Sequence, residues 1–491
     1  MKKSEIDLLM LPLLSALILA LARLPIHLGF ISYCGFVPLF FFFDKKPSLG
    51  IVVRGAGVFS LVYTVVALHW ITLVTLPGFI GMIFLFFLYF LIVFYLNRMV
   101  WQKNYPLRYL GFILIWVCYE HLQGFGQFSF PWFYTGYSLG DYTTLLQPLE
   151  LGGITLITLF IMVTNLLIYQ LLLKKNLRFL LAVILLHLTW SGISVWRYHT
   201  IPLENTHEEI AIVQVSIPQH LKWKKAYKDT TLELYREYTG KVSPDAGLVI
   251  FPESAIPGYV LTSYKYGSYM RTLIHDSGKS IFTGFPDYVY DKDREKYLYY
   301  NTCTMFDSLG SYEEPYYKNI LVPFGERMPL MSLFPVLNRV DLGQANWEFG
   351  KGFRSYNYRG LKISPQICFE VAFPSYNAKM AKENPDVIFN LTNDAWFYHS
   401  AGTYQHSLMT RFRAIETRTQ YYRAANTGYS MIVNPRGDVL QKSKLFTREV
   451  IEDEVYTYHG QSLYVRYFHY LPDILAALTA LLLIWSIIKK S

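Results

Sequence analysis

The stretch whose reading decides the fold is Leu361-Lys362-Ile363-Ser364-Pro365-Gln366-Ile367-Cys368-Phe369-Glu370. Its first seven residues read as a buried strand, and the end of that strand delivers a thiol with a carboxylate two residues on. A strand end followed by a turn holds a side chain rigidly yet leaves it open to a ligand, which is where a nucleophile is useful. The plain alternative is a core cysteine, since a free thiol packs as a small hydrophobe. The flanking sequence has to decide between them.

Outward from this strand, similar runs recur at 210–215, 248–251, 280–283, 298–305, 386–391 and 429–433. Helical patterns at 223–239, 263–277, 373–382 and 403–418 alternate with them. Strands alternating with helices predict an α/β domain with a buried sheet, here over 205–458. Asp307-Ser308-Leu309-Gly310 and Pro435-Arg436-Gly437-Asp438 predict tight turns between neighbouring strands.

The first two hundred residues have another character. The whole chain of 491 residues is 52% hydrophobic and only 16% charged, where about 25% is ordinary for a soluble chain. Apolar stretches lie near 6–22, 27–43, 51–75, 78–97, 108–122, 149–173 and 178–196, with an eighth at 471–488. Most approach the roughly 20 residues that cross a bilayer. They predict a multi-pass α-helical membrane domain of about eight spans: seven in 1–197 and one in 467–491. The first stretch lacks a small-residue cleavage site after it and is read as retained.

The basic residues explain the net charge of +9. Lys2, Lys3, Lys45, Lys46, Arg54, Arg98, Lys103, Arg108, Lys174, Lys175, Arg178, Lys489 and Lys490 fall on one side of the predicted spans, and the short loops opposite carry little beyond Arg23. By the positive-inside rule both termini are cytoplasmic and the α/β domain lies outside the cytoplasm. Charge placed this way argues for topology and against a nucleic-acid partner. The four cysteines do not make a disulfide scaffold, and a Cys303–Cys368 bridge would disable a nucleophile. The aromatic loop Phe128-Ser129-Phe130-Pro131-Trp132-Phe133-Tyr134-Thr135-Gly136-Tyr137 reads as an interfacial belt, or as a re-entrant or surface loop lining an entry for lipid or for a membrane-tethered substrate. Glu120, near membrane depth, needs a partner or water.

Two further strand ends carry chemistry. Phe251-Pro252-Glu253-Ser254 ends an apolar run in a carboxylate, and Tyr317-Lys318-Asn319-Ile320-Leu321-Val322-Pro323-Phe324-Gly325-Glu326 encloses a lysine in apolar neighbours. Alone, the glutamate is a solvated or capping residue and the lysine a snorkelling one. Together with Cys368 they are what thiol-mediated acyl transfer requires. A carboxylate takes the thiol proton, and a cation stabilises thiolate and oxyanion.

Glu253, Lys318 and Cys368, in this order and context, resemble the Glu-Lys-Cys triad of the nitrilase superfamily. With the flanking spans, and with the segments ending at Trp223 and Gly428 and running from Leu391 to Glu416, the chain is similar to the apolipoprotein N-acyltransferase family. The resemblance implies an α-β-β-α sandwich beside the membrane helices. It implies an enzyme without cofactor or metal that moves an acyl chain from a phospholipid, through a Cys368 thioester, to the α-amino group of an S-diacylglyceryl-cysteine apolipoprotein. Glu326, Glu370 and Phe369 would support the triad, and Trp223, Phe324, Trp347 and Trp396 would bind substrate. The implied setting is the bacterial inner membrane, with the catalytic domain periplasmic and the protein a monomer among membrane lipids. Phe369 stands where the family often has Tyr, Tyr398 where glycine is common, and the segment at 120–124 lacks the family's usual Trp and Arg.

Three rivals compete. A membrane-anchored amidase would use the same triad with water as acceptor. A Cys–His pair would join Cys368 to His406 or His399, and a metal reading would add Asp394, although ligand number and spacing are inadequate. A transporter or lipid-binding scaffold would need charges or an inverted repeat within the spans.

Overall fold

A computed structural model describes residues 3–102, 107–331, 333–334, 336 and 346–488. Lys2, Lys103, Lys489 and Lys490, which entered the orientation argument, lie outside the described residues. The chain forms two compact units: Met1–Thr200 with Ser400–Leu408 and Arg466–Ser491, and Ile201–His399 with Met409–Val465.

The first unit is helical. Among the described residues, six apolar helical segments are long enough to cross a membrane: Lys3–Leu21, Leu49–Leu68, Leu76–Gln102, Leu149–Lys174, Leu177–Thr200 and Tyr464–Ile488. The second predicted stretch instead forms two short helices, Gly29–Cys34 and Val37–Asp44, and the fifth forms Arg108–Leu122. A 15-residue helix rises about 22 Å, short of the roughly 30 Å of hydrocarbon. The third stretch also stops early, at Leu68, with a separate turn Ile71–Val74 after it. Leu177, Leu181, Leu185, Leu188 and Trp196 stand on one helix with over half their surface outside. So much exposed apolar surface fits a hydrocarbon surrounding and not water.

The aromatic loop is neither an exposed belt nor a surface feature. Trp132, Phe133, Tyr134 and Tyr137 are buried inside this unit. Arg23 donates to the Trp132 and Tyr134 carbonyls at 2.8 and 2.6 Å, and Gln405 Oε1 accepts both the Trp132 and Trp70 indole N–H groups. Glu120 has the partners its depth demands. It accepts from Trp116 Nε1, from the backbone and hydroxyl of Thr135, and from the Thr158 hydroxyl, at 2.6–2.9 Å.

The second unit is two six-stranded sheets. One has the order β12-β1-β2-β3-β4-β5 and the other β11-β10-β9-β8-β7-β6. The strands are β1 (Glu204–Gln214), β2 (Ala246–Ile250), β3 (Ser280–Asp291), β4 (Lys296–Phe306), β5 (Tyr316–Tyr317) and β6 (Tyr356–Tyr358). They continue with β7 (Leu361–Ile367), β8 (Val387–Thr392), β9 (Gln420–Ala425), β10 (Met431–Val433), β11 (Val439–Lys442) and β12 (Glu449–Thr457). At the centre of each sheet lies a parallel trio, β1-β2-β3 and β7-β8-β9. Antiparallel strands complete both.

Alternation along β1 explains the layering. Ile210 and Ile212 pack between the sheets with Ile250, Phe282, Ile363, Phe389 and Leu391, whereas Ala211 and Val213 face Leu232, Tyr235, Leu273 and Ile274 of the helices Lys225–Thr239 and Tyr264–Ser277. The helix Pro374–Ala381 serves the other sheet, where its Asn377 accepts from Tyr421 at 3.1 Å. The result is the expected α-β-β-α sandwich. Burying each such Ile, Leu or Phe is worth about 1.5–3 kcal/mol, so the two sheets are held in fixed register by their shared core.

Candidate active site

Chemistry-bearing side chains gather where the parallel strands end, the usual place for a site in an α/β fold. Beyond β2, Phe251 N–H still bonds the Phe282 carbonyl at 2.8 Å, and the chain then turns through Pro252 and Glu253 to Ser254 at φ +50°. Gly284 of β3 makes room for that turn: a Cβ there would lie 2.9 Å from Glu253 Cα. Lys318 follows β5, its N–H bonded to the Asn301 carbonyl at 2.9 Å and its carbonyl accepting from Gly350 N–H at 2.7 Å. A Cβ on Gly350 would sit 1.9 Å from the Tyr317 carbonyl oxygen, so only glycine fits.

The Lys318 ammonium, 1% exposed, lies 2.9 Å from Glu326 Oε1 and 3.4 Å from Glu253 Oε1. Burial opposes its charge, but the carboxylates of Glu326 and Glu253 outweigh burial and raise its pKa. Asn301 Nδ2 donates to both carboxylates, at 2.6 Å to Glu253 and 3.2 Å to Glu326. Glu326 is held from behind by Val322 N–H at 2.9 Å. One ammonium and one amide thus cross-link two carboxylates.

Cys368 ends β7 and begins the tight turn Cys368–Ala372, with φ +53°. The left-handed backbone swings the thiol away from the strand direction, a strain that a purely structural cysteine does not need. As a residue Cys368 is only partly buried. Burial, then the Glu253 carboxylate, pushes its pKa up, while Lys318 and the Thr392 hydroxyl pull the other way. Burial thus disfavours the thiolate, and the thiol needs a base close by in order to attack.

Glu370 does not touch Lys318. Its Oε1 accepts Asn319 N–H at 2.6 Å and Ile320 N–H at 3.2 Å, and its Oε2 accepts Ile367 N–H at 2.7 Å. It clasps the backbone after Lys318 to the backbone before Cys368. Burial pushes this carboxyl up to about 7 against those N–H donors. Phe369 is buried edge-on against Phe373, ring centres 5.0 Å apart.

The tryptophans and Phe324 stand beside residues of the site. Trp347 is buried and its N–H bonds the Glu326 carbonyl at 3.1 Å. Phe324 is 39% exposed with φ +62°, two residues before Glu326. Trp223 is 43% exposed and follows Lys222, whose ammonium meets the Glu253 carbonyl. Trp396 closes the turn Asp394–Trp396, and the charge of Asp394 acts on Cys368.

The histidine rival finds its residues engaged elsewhere. His399 packs on Phe446, and His406 lies in the first unit against Trp132. All four cysteines are free thiols. No group of three His, Cys, Asp or Glu among the described residues could hold a metal ion.

Three supporting residues escaped the sequence reading. Asn301 lies mid-strand in β4, and its only signal is a polar side chain in an apolar run. Asn390 Nδ2 donates to the Cys368 carbonyl at 3.3 Å, and Arg423 holds Asn390 at 2.8 Å and Asp394 at 2.6 Å.

Comparison with known proteins agrees with this architecture. The carbon-nitrogen hydrolase family profile matches residues 209–457, and the apolipoprotein N-acyltransferase N-terminal domain profile matches 15–167. An apolipoprotein N-acyltransferase of Geobacter metallireducens is 28% identical over 77% of this chain and 73% of its own length. Those of Pseudomonas syringae pv. tomato and Azotobacter vinelandii are each 30% identical, over 77% and 80% of this chain and 74% and 76% of theirs. Among solved structures, an amidase of the nitrilase superfamily from Nesterenkonia AN1 aligns at 16% identity over 56% of this chain and 99% of its own, with a TM-score of 0.41. By the two profiles and the 30%-identical relatives the chain belongs to the apolipoprotein N-acyltransferase family.

Proposed function

We propose that this protein transfers an acyl chain from a membrane phospholipid to the α-amino group of the N-terminal S-diacylglyceryl-cysteine of apolipoproteins. The observation that carries the reading is the meeting of Glu253, Lys318 and Cys368 at strand ends.

Glu253 takes the Cys368 proton as sulfur attacks the ester carbonyl of the donor lipid. The tetrahedral oxyanion is stabilised by the Lys318 ammonium and a backbone N–H near Cys368. The C–O bond then breaks, and Glu253 returns the proton to the leaving lysophospholipid. The α-amino group of the lipoprotein next attacks the thioester, Glu253 accepts its proton, and the C–S bond breaks to restore the thiol. Glu326 keeps Lys318 aimed, and Glu370 keeps the Lys318 and Cys368 segments together. Trp223, Phe324, Trp347 and Trp396 line the path of the acyl chain.

The same reading places the protein as a monomer in the bacterial inner membrane, residues 1–197 and 467–491 spanning it and 205–458 in the periplasm. The one-sided basic loops support that orientation.

The test is intact-mass spectrometry of the full chain after exposure to phospholipid micelles. One acyl adduct is expected, absent in Cys368→Ser and discharged by a diacylglyceryl-cysteine peptide. Folded protein that forms no adduct with several lipid classes overturns the mechanism. Discharge by water as fast as by the peptide favours the amidase.

A further inference from the structure

A second lysine is built into the site. After β1 the chain turns at Ser216, φ +52°, and Ile217 is clamped by Asn426, whose side chain accepts from Ile217 N–H at 2.9 Å and donates to its carbonyl at 2.8 Å. The short turn Gln219–Lys222 follows, held by Asn393, which donates to Gln219 Oε1 at 2.8 Å. Asn393 and Asn426 stand just beyond β8 and β9, so a turn hung from one sheet is pinned to strand ends of the other. Its last residue, Lys222, is 2% exposed. Its Nζ donates to the Glu253 backbone carbonyl at 3.0 Å.

A buried ammonium costs more than a neutral side chain of the same length unless nearby negative charge repays it. The groups whose charges act on Lys222 are Glu253 and Cys368. Those acting on Cys368 also include Lys318 and Asp394. His220 and Lys224, its charged neighbours in sequence, are exposed. Lys318 lies within hydrogen-bond or ion-pair distance of two carboxylates, whereas among the described residues the hydrogen bond of Lys222 goes to a neutral carbonyl. Its charge is therefore the less neutralised of the two when the sulfur becomes negative.

We propose that Lys222 is a positioning residue for acyl transfer: its ammonium fixes the Glu253 turn through the backbone carbonyl, and its charge stabilises the negative charge that develops on Cys368. The proposal rests on Cys368 being the nucleophile. Burial lowers this lysine to about 8, which gives the effect a pH signature.

The experiment measures the rate at which iodoacetamide alkylates Cys368 in the full chain, read on the Cys368 peptide from about pH 6 to about pH 10. Lys222→Met is expected to slow alkylation about tenfold at neutral pH, with the gap closing above about pH 8 as the native lysine loses its proton. Lys222→Arg should match the parent near neutrality and exceed it above about pH 8, because a guanidinium stays charged. A gap equally wide at every pH, or no gap, with unchanged melting temperature overturns the proposal. If Lys222→Met fails to fold, Lys222→Arg decides alone, and equality with the parent above about pH 8 overturns it. Alkylation reports the field at the thiol whether or not a lipid acylates it. Failure of the parent to form an acyl adduct therefore sinks the acyl-transfer reading and leaves this measurement interpretable.

Discussion

Glu370 accepts the backbone N–H of Asn319 at 2.6 Å, although the two residues lie 51 positions apart. The strand end that carries Lys318 is thereby tied to the turn that carries Cys368. Glu370→Gln presents an amide N–H2 to backbone donors, and each buried donor left unsatisfied costs about 1–3 kcal/mol. Acyl-adduct formation should slow by at least about tenfold, read by intact-mass kinetics.

The same carboxyl gives a pH dependence with a definite sign. Its pKa is raised by burial from the ordinary 4.5 to about 7, so the fold favours its protonated form. The stability it contributes is fully present below about pH 4.5 and is lost as pH rises through about 7. The melting temperature in detergent should fall across that window more steeply for the parent than for Glu370→Gln. Parallel curves would contradict this assignment.

Asn301 is the neutral member of a charged cluster. Asn301→Ala removes the donor shared by Glu253 and Glu326, which should cost about 1.5–3 kcal/mol of stability and slow acylation. Asn301→Asp should slow it further, because a third carboxylate beside Glu253 favours a protonated base. The check is the acylation rate of both variants against pH, with recovery expected for neither near neutrality.

Arg423 is wholly buried and pairs with Asp394. Arg423→Leu takes the buried guanidinium away from that carboxylate and removes the donor to Asn390, which holds the Cys368 carbonyl. A loss of about 3–5 kcal/mol is expected in denaturant titration, as for other broken buried pairs.

In the helical unit, Gln405 satisfies two indole N–H groups and donates to the carbonyls of Arg23 and Ala67 at 3.2 and 3.1 Å. Gln405→Ala orphans them. Each buried group left unpaired costs about 1–3 kcal/mol, so a marked fall in melting temperature in detergent is expected.

How much of this the chain discloses depends on what each residue's meaning rests upon. The run Leu361–Ile367 is read with the bounds that the structure gives, because Leu361, Ile363, Pro365 and Ile367 alternate with Lys362, Ser364 and Gln366, the period of a strand. Glu253, Lys318 and Cys368 stand out through their order and context, which resemble a known triad, and local pattern alone leaves each of them an ordinary residue. Strand β9 is not legible, since Gln420 and Arg423 break the apolar pattern and Arg423 is neutralised by an aspartate 29 positions away. Strand β12 hides behind Glu449, Glu452, Asp453 and Glu454, charges that a sheet edge tolerates. Asn301 is silent for the same reason: its partners Glu253 and Glu326 are 48 and 25 positions distant. The second apolar stretch reads as one span because composition does not reveal that it breaks between Cys34 and Val37.

Glu253, Lys318, Asn301 and Lys222 ride on the β1–β5 sheet, whereas Cys368, Asn390 and Asp394 ride on the sheet of β7 and β8. Charge and thiol meet only because the layers between them, Phe282 against Phe389 with ring centres 5.2 Å apart, keep their spacing. The turnover rate is thus a caliper laid across the sandwich. Enlarging a core ring such as Phe389, which packs between the sheets and not in the site, should register as lost chemistry before it registers as lost fold.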